Sequence, residues 1–166
     1  MLSAQTVITS PTSNADFRCS LNYSDRFVRR KRLHTDCGMA FLLDLDKATN
    51  LKHTDQLKLD DQTLIEIIAK PEMLAEITGD KMLEYVWHLG NRHTPAQVEA
   101  KRILIQHDHV IEHMIEHLGG SITHITEPFM PLGGAYGHGR THSHEHVKST
   151  HAPVSYTHLT LPTKRI

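Results

Sequence analysis

The stretch HDHVIEHMIEHLGG, His107 to Gly120, decides how the chain folds. Asp108 can cap a helix, because its carboxylate accepts the N–H groups that a first turn leaves without partners. Ile111, Met114, Ile115 and Leu118 follow at i, i+3, i+4 and i+7, one face of a helix. Gly119-Gly120 stops it, since glycine takes up the left-handed conformation that ends helices. Working outward, Ile103-Leu104-Ile105 upstream is a short β-prone run, and Ser121 to Phe129 downstream is a strand with Ile122 and Ile125 flanking His124. Further upstream Leu74 to Thr78 is a strand. Asp80 then caps a helix carrying Met82, Leu83, Val86 and Trp87 on one side and ending at Gly90, before a β-prone piece around Val98. The order β-α-β-β-α-β is the split βαβ, or ferredoxin-like, pattern.

Before this unit the chain reads as β. Phe41-Leu42-Leu43 and Leu64-Ile65-Glu66-Ile67-Ile68 are β-prone runs separated by turn material at Lys58-Leu59-Asp60-Asp61-Gln62, and Pro71 closes the region. Short strands with turn signals predict a small barrel or sandwich. The basic run Arg29-Arg30-Lys31-Arg32 reads as a solvated strand face, ahead of a patch for RNA or an acidic partner. After Pro131 the glycines Gly133, Gly134, Gly137 and Gly139 lead into Thr141-His142-Ser143-His144-Glu145-His146, with no apolar periodicity. The last piece, VSYTHLTLPTKRI, turns β-prone again and reads as a non-native translation or sequencing remnant. The expected class is α+β. A β-rich N-terminal domain spans 1–72, a ferredoxin-like domain 73–132, a flexible, disordered His-rich tail 133–153 and the remnant 154–166.

Composition narrows the function. Among 166 residues, 18 Lys and Arg face 19 Asp and Glu, a balance that argues against nucleic acid as a partner. The apolar runs are a few residues long, too short to span a bilayer. The opening MLSAQTVITSPTSNADF has neither the basic nor the apolar region of a signal peptide. Two cysteines, Cys19 and Cys37, rule out a disulfide scaffold, so the expected compartment is the cytoplasm.

Histidine is the unusual residue: 15 copies, concentrated after His88. Neutral imidazole is a good ligand for nickel, copper, zinc and iron, and thiolate is scarce here. Histidines alternating through a Gly-rich, coreless tail have no packing role, and a tag or solubility role is the plainer alternative. Such a tail collects ions loosely, because its ligands are not preorganised. His107 and His109 stand together at the start of the second helix, while His109, His113 and His117 recur at i, i+4, i+8 opposite its apolar face. His113 and His117 by themselves read as solvated polar surface. His109 to His113 fits H-x-x-E-H, a zinc-peptidase signature, but so does His113 to His117. A pattern generated twice by the helix repeat is weak as a motif. His93 lies in Leu89-Gly90-Asn91-Arg92-His93-Thr94-Pro95, an exposed turn after a helix stop. One imidazole is too few for tight binding, but two chains meeting there on a two-fold axis would present a pair.

These residues resemble a known family. WHLGNRHTP (Trp87 to Pro95), QHDHV (Gln106 to Val110), GGAYGHG (Gly133 to Gly139), the His-rich end and RFVRRKRLHTDCG (Arg26 to Gly38) are similar to the urease accessory protein UreE family, the nickel metallochaperones. The resemblance covers roughly residues 20 to 150, and LGNRH followed by HDH is its most specific part. It implies a peptide-binding type of N-terminal domain, a ferredoxin-like metal-binding domain, and a homodimer in which His93 binds nickel across the interface. It implies further ligands at His107 and His109, while His138, His142, His144 and His146 are the tail candidates. The cargo it implies is Ni(II), with Cu(II) or Zn(II) binding in vitro. The implied partners are the urease-maturation GTPase UreG and the urease apoprotein with its accessory complex, and the implied role is delivery without catalysis. A general His-rich copper, zinc or nickel buffer or sensor is the alternative.

Deleting residues 138–166 is expected to lower the number of nickel ions bound while keeping the tightest one, as read by equilibrium dialysis. Ordering a Gly-rich segment around an ion costs about 1–2 kcal/mol for every residue fixed.

Overall fold

The computed structural model describes residues 2–133. The tail beyond them and the remnant expected at 154–166 lie outside the described residues. Six strands come first: β1 (Ser3–Ile8), β2 (Phe17–Leu21), β3 (Phe27–His34), β4 (Ala40–Asn50), β5 (Gln56–Leu59) and β6 (Leu64–Ala69). They form one mixed sheet in the order β2-β6-β5-β1-β4-β3. Its core follows the two-residue period of a strand: Phe41, Leu43 and Leu45 from β4 and Ile65, Ile67 and Ala69 from β6 are buried, with their neighbours turned outward.

The sheet rolls toward closure, as a small barrel requires. The edge strand β2 reaches the turn beyond the opposite edge strand β3, where Asp36 N–H donates to the Arg18 carbonyl at 2.8 Å and the Cys19 thiol to the His34 carbonyl at 3.2 Å. Lys58 and Leu59 belong to β5 and not to a turn. Leu57 and Leu59 are drawn into the core, and the chain reverses only after Leu59, whose N–H donates to the Thr63 carbonyl at 2.9 Å. Arg29 to Arg32 are all exposed on β3, with Arg30 beside Asp44 and Lys31 beside Asp25. An irregularity between Val28 and Arg30 shifts the register against β4 and breaks the two-residue alternation there.

The second sheet contains β7 (Pro71–Thr78), β8 (Ala96–Val98), β9 (Ile103–Gln106) and β10 (Ser121–Pro128), ordered β10-β7-β9-β8 with every pair antiparallel. Helix α1 (Met82–Asn91) links β7 to β8, and α2 (His109–His117) links β9 to β10. This is the ferredoxin-like βαββαβ arrangement expected from the sequence, and the fold class is α+β. Pro71 opens β7 instead of closing the region before it; a first strand position is where proline forfeits no ladder bond.

Helix α1 differs from expectation in three ways. Lys81, not Asp80, precedes its first turn, without a side-chain cap, and the helix runs through Gly90 to Asn91. Its buried face is Tyr85 and Leu89, with Met82 and Val86 at the margin. Leu83 and Trp87 point outward, 88% and 63% exposed. The reason is the fit of Tyr85 against the β7–α1 turn: a Cβ placed on Gly79 would lie 2.8 Å from the Tyr85 hydroxyl. Both helices cover one face of the sheet, where Ala75, Ile77, Ile103 and Ile105 pack with Tyr85, Leu89, Ile111 and Ile115.

The opposite face meets the first sheet's turn region. Tyr23, Leu74, Leu104 and Phe129 form a separate buried cluster, with the Tyr23 and Phe129 rings edge to face at 5.1 Å. Around it, Tyr23 N–H donates to Glu72 Oε1 at 2.7 Å and the buried Arg26 guanidinium donates to the Phe129 carbonyl. The end of β10 therefore fastens the two sheets together.

Phe129→Ala is expected to lower stability by about 3–5 kcal/mol, the usual loss for an aromatic ring removed from a core, as measured by urea denaturation. The cysteines give a second test. Cys19 is fully buried, and burial, with the nearby Asp36 charge, pushes its thiol up to about 11. Cys37 is exposed, and its hydrogen bond with the Thr35 hydroxyl lowers its pKa. Because thiolate is the reactive form, iodoacetamide at pH 8 is expected to label Cys37 in the native chain. It should label Cys19 only after unfolding, as read by mass spectrometry.

Candidate metal centre

The cap of α2 builds the centre. Asp108 Oδ1 accepts from Val110 N–H at 2.9 Å and Ile111 N–H at 3.2 Å. In return Glu112 Oε1 accepts the Asp108 N–H at 3.0 Å. This is a reciprocal arrangement of the capping-box kind, with the acid one residue later than usual. It turns the Glu112 carboxylate back toward the end of β9, where His107 sits. His107 Nδ1 lies 2.7 Å from Glu112 Oε1.

His124 arrives from the other side. In β10 it stands opposite Ala75 of β7, and paired residues on an antiparallel ladder share a face. Ala75 faces the helices, so His124 does too, and its Nε2 lies 2.9 Å from Glu112 Oε2. The rings of His107 and His124 are perpendicular, with centroids 4.9 Å apart. One ligand atom from each of His107, Glu112 and His124 lies within 4.8 Å of the others.

Glu112 is 8% exposed, whereas the two imidazole side chains are half-exposed. Burial pushes the Glu112 carboxyl up. Hydrogen bonds from His124, from the Asp108 backbone and from His107 outweigh it, and the net effect holds the group below the usual carboxylate range. The result is an anion with little water around it, flanked by two groups that can be neutral donors, cations or metal ligands.

The residues expected from the sequence are distributed unevenly. His107 belongs to this cluster. His109 is the first residue of α2 and exposed, outside the cluster. His113 and His117 are exposed along the same helix, in line with a solvated face. His93 is exposed in the turn after α1, with a left-handed φ of 56°. His138, His142, His144 and His146 lie outside the described residues. Glu112 and His124 are the two that sequence reasoning did not assign. One signal for His124 was present: it stands two residues from Ile122, and on a strand that places both on the same face. The cysteines stay apart from the cluster, Cys19 in the first sheet's core and Cys37 in the turn after β3. A surface hollow of about 630 Å³, lined by Ser10, Ser13, Asn14, Arg18, Gln56 and Glu66 among others, is polar and contains no histidine.

Comparison with known proteins agrees with this architecture. Residues 2–70 match the family model described as UreE urease accessory protein, N-terminal domain, and residues 65–158 match its C-terminal domain. The chain is 53% identical over 138 residues to the urease accessory protein UreE of Ruegeria pomeroyi, covering 83% of this chain and 93% of that one. It is 51% identical over 122 residues to the protein of that name from Ruegeria sp. (strain TM1040), covering 74% and 69%. It is 49% identical over 126 residues to that from Cereibacter sphaeroides, covering 76% and 69%. With the two models matching residues 2–70 and 65–158 and relatives similar along most of its length, the chain belongs to the UreE urease accessory protein family.

Proposed function

We propose that this chain takes up Ni(II) and delivers it to the urease apoprotein for metallocentre assembly, by binding and release without catalysis. Family membership supports a role in urease maturation. The observation that carries the metal role is the conformation of His93. It follows the C-cap Arg92 of α1, a position where glycine is the ordinary occupant. A left-handed residue with a side chain costs about 1–2 kcal/mol. Such strain collects at functional positions, which supports a side chain retained for its chemistry.

The surroundings support a site shared between two copies. Leu83 and Trp87 are exposed one turn apart on the helix that ends in the His93 turn. A second copy packed there on a two-fold axis covers both and pairs the two His93 rings, the isologous geometry commonest among oligomers. In this reading His107 and His109 offer further ligands, and His138, His142, His144 and His146 collect ions loosely. The partners are the GTPase UreG and the urease apoprotein with its accessory complex, in the cytoplasm. Cu(II) and Zn(II) compete in vitro.

His93→Ala and His93→Gly are both expected to lose the tightest nickel site and to lower urease activation in cells, measured by calorimetry and by urease activity. The glycine variant is expected to match or exceed the parent in stability, by up to about 1 kcal/mol, because relief of strain offsets the flexibility glycine adds. Unchanged tight binding in both variants rejects the role of His93. A pull-down from a urease-positive lysate that returns no urease component, with or without nickel, replaces delivery by general metal buffering.

A further inference from the structure

We propose that strand β3 is a docking surface for an acidic strand of a partner protein, one that carries carboxylates on every second residue, with Arg29, Arg30 and Arg32 as the groups that hold it. The proposal goes beyond the delivery role and does not depend on it. Positive charge is concentrated here: four of the chain's 18 Lys and Arg stand in succession at Arg29 to Arg32, all exposed, in a chain of net charge −1. That charge is only partly matched. Lys31 lies 2.7 Å from Asp25, but Arg30 Nε is 3.6 Å from Asp44 and its side chain is 66% exposed. A long, solvated pair of that kind contributes little, so the Arg30 guanidinium can take a second carboxylate. Among the described residues Arg29 and Arg32 have no ion-pair partner; Arg29 Nε donates to the Leu45 carbonyl at 3.4 Å.

The run divides into two devices. β3 is the outermost strand on its side of the sheet, and outer strands are guarded against pairing with other copies, often by an inward-pointing charge or a lysine. Lys31 answers to that description: it stands opposite Leu43, a core residue, and so starts on the inner side of the strand. The arginines are not needed for this. Arg30 and Arg32 stand opposite Asp44 and Leu42, on the outer face. A face that had only to be solvated would be served by lysine, whose ammonium is strongly hydrated. A guanidinium is more weakly hydrated, its planar fork grips a carboxylate by two hydrogen bonds, and arginine is enriched at protein interfaces where lysine is depleted.

The spacing says what kind of acidic partner fits. Arg30 and Arg32 are two residues apart on one face of a strand, an interval of about 6.5–7 Å. An extended partner segment repeats its own same-face side chains at that interval, so alternating Asp or Glu meets both guanidiniums in step. Nucleic acid fits less well. Phosphate binding rests on many cations acting together, and three arginines in a chain with a slight acidic excess are few. A second copy of β3 is excluded by like charge.

The test uses the full chain at pH 8 with a chelator, so that histidines are mostly neutral and free of metal. Two fluorescein-labelled dodecapeptides are titrated and read by fluorescence anisotropy. One alternates Glu and Thr. The other repeats Glu-Glu-Thr-Thr, with the same length, composition and charge, and so sets its same-face carboxylates four residues apart. The alternating peptide is expected to bind at least fivefold tighter, and to weaken as sodium chloride is raised. Arg29→Gln, Arg30→Gln and Arg32→Gln together should weaken it at least tenfold, while Lys31→Gln and, at an exposed position away from β3, Lys101→Gln each leave it within twofold. Circular dichroism confirms the fold; should the triple variant fail to fold, Arg32→Gln, with a loss of threefold or more, carries the test. The proposal is overturned by a parent that binds neither peptide, by equal affinity for the two, or by a folded triple variant within twofold of the parent. A loss in Lys31→Gln as large as that in the triple variant also overturns it, and leaves β3 an unspecific basic strip. A single-stranded RNA of twelve nucleotides bound as tightly as the alternating peptide, and lost with the same arginines, overturns the choice of a protein partner.

Discussion

Strand β7 is hydrogen-bonded on both sides, to β10 along Pro71 to Thr78 and to β9 along Leu74 to Ile77. Its side chains serve two cores at once. Ala75 and Ile77 face the helices and pack with Tyr85, Leu89, Ile111 and Ile115, while Leu74 faces the other way into the cluster with Tyr23, Leu104 and Phe129. A slip of one residue in its pairing would exchange these two faces and dissolve both cores. The same register brings His124 to the helix side, opposite Ala75. The cluster of His107, Glu112 and His124 and the join between the sheets are thus consequences of one alignment.

Charge is arranged around this strand in two contrasting ways. Arg102, just before β9, pairs with Glu76 of β7 at 2.8 Å, Glu99 at 2.7 Å and Glu127 of β10 at 2.9 Å. A guanidinium keeps its charge across the working pH range, so this network ties the sheet wherever the three glutamates are ionised. Across the sheet, the ion-pair partners of Glu112 among the described residues are the imidazoles of His107 and His124, a kind of side chain that is not permanently charged and can bind metals. A protein that needed only rigidity would be served by a second arginine. Histidine in that place makes the tie conditional where arginine would make it permanent.

The family and the geometry divide the work of explanation. Membership of the UreE family assigns the chain to urease maturation. The geometry says where imidazoles are fixed and where they are merely abundant: at the strained turn after α1, and at the mouth of α2.

Much of the fold was legible in the chain itself. The cap at Asp108, the apolar period from Ile111 to Leu118 and the Gly119-Gly120 stop define α2 locally, because each acts within a few residues. The order of strands and helices after Leu74 then leaves few topologies open. The face of α1 was not legible: Leu83 and Trp87 share the helical period with Met82 and Val86, and only the fit of Tyr85 against Gly79 decides which side is covered. Nor was the site. Glu112 and Glu116 occupy equivalent places in the repeated H-x-x-E-H pattern, yet Glu112 is buried and Glu116 exposed. The repeated pattern does not tell them apart; the Asp108 cap turns Glu112 back toward β9. Long-range pairing of β10 with β7 also separates them, because it sets a strand residue twelve positions away, His124, against one carboxylate and leaves the other to water.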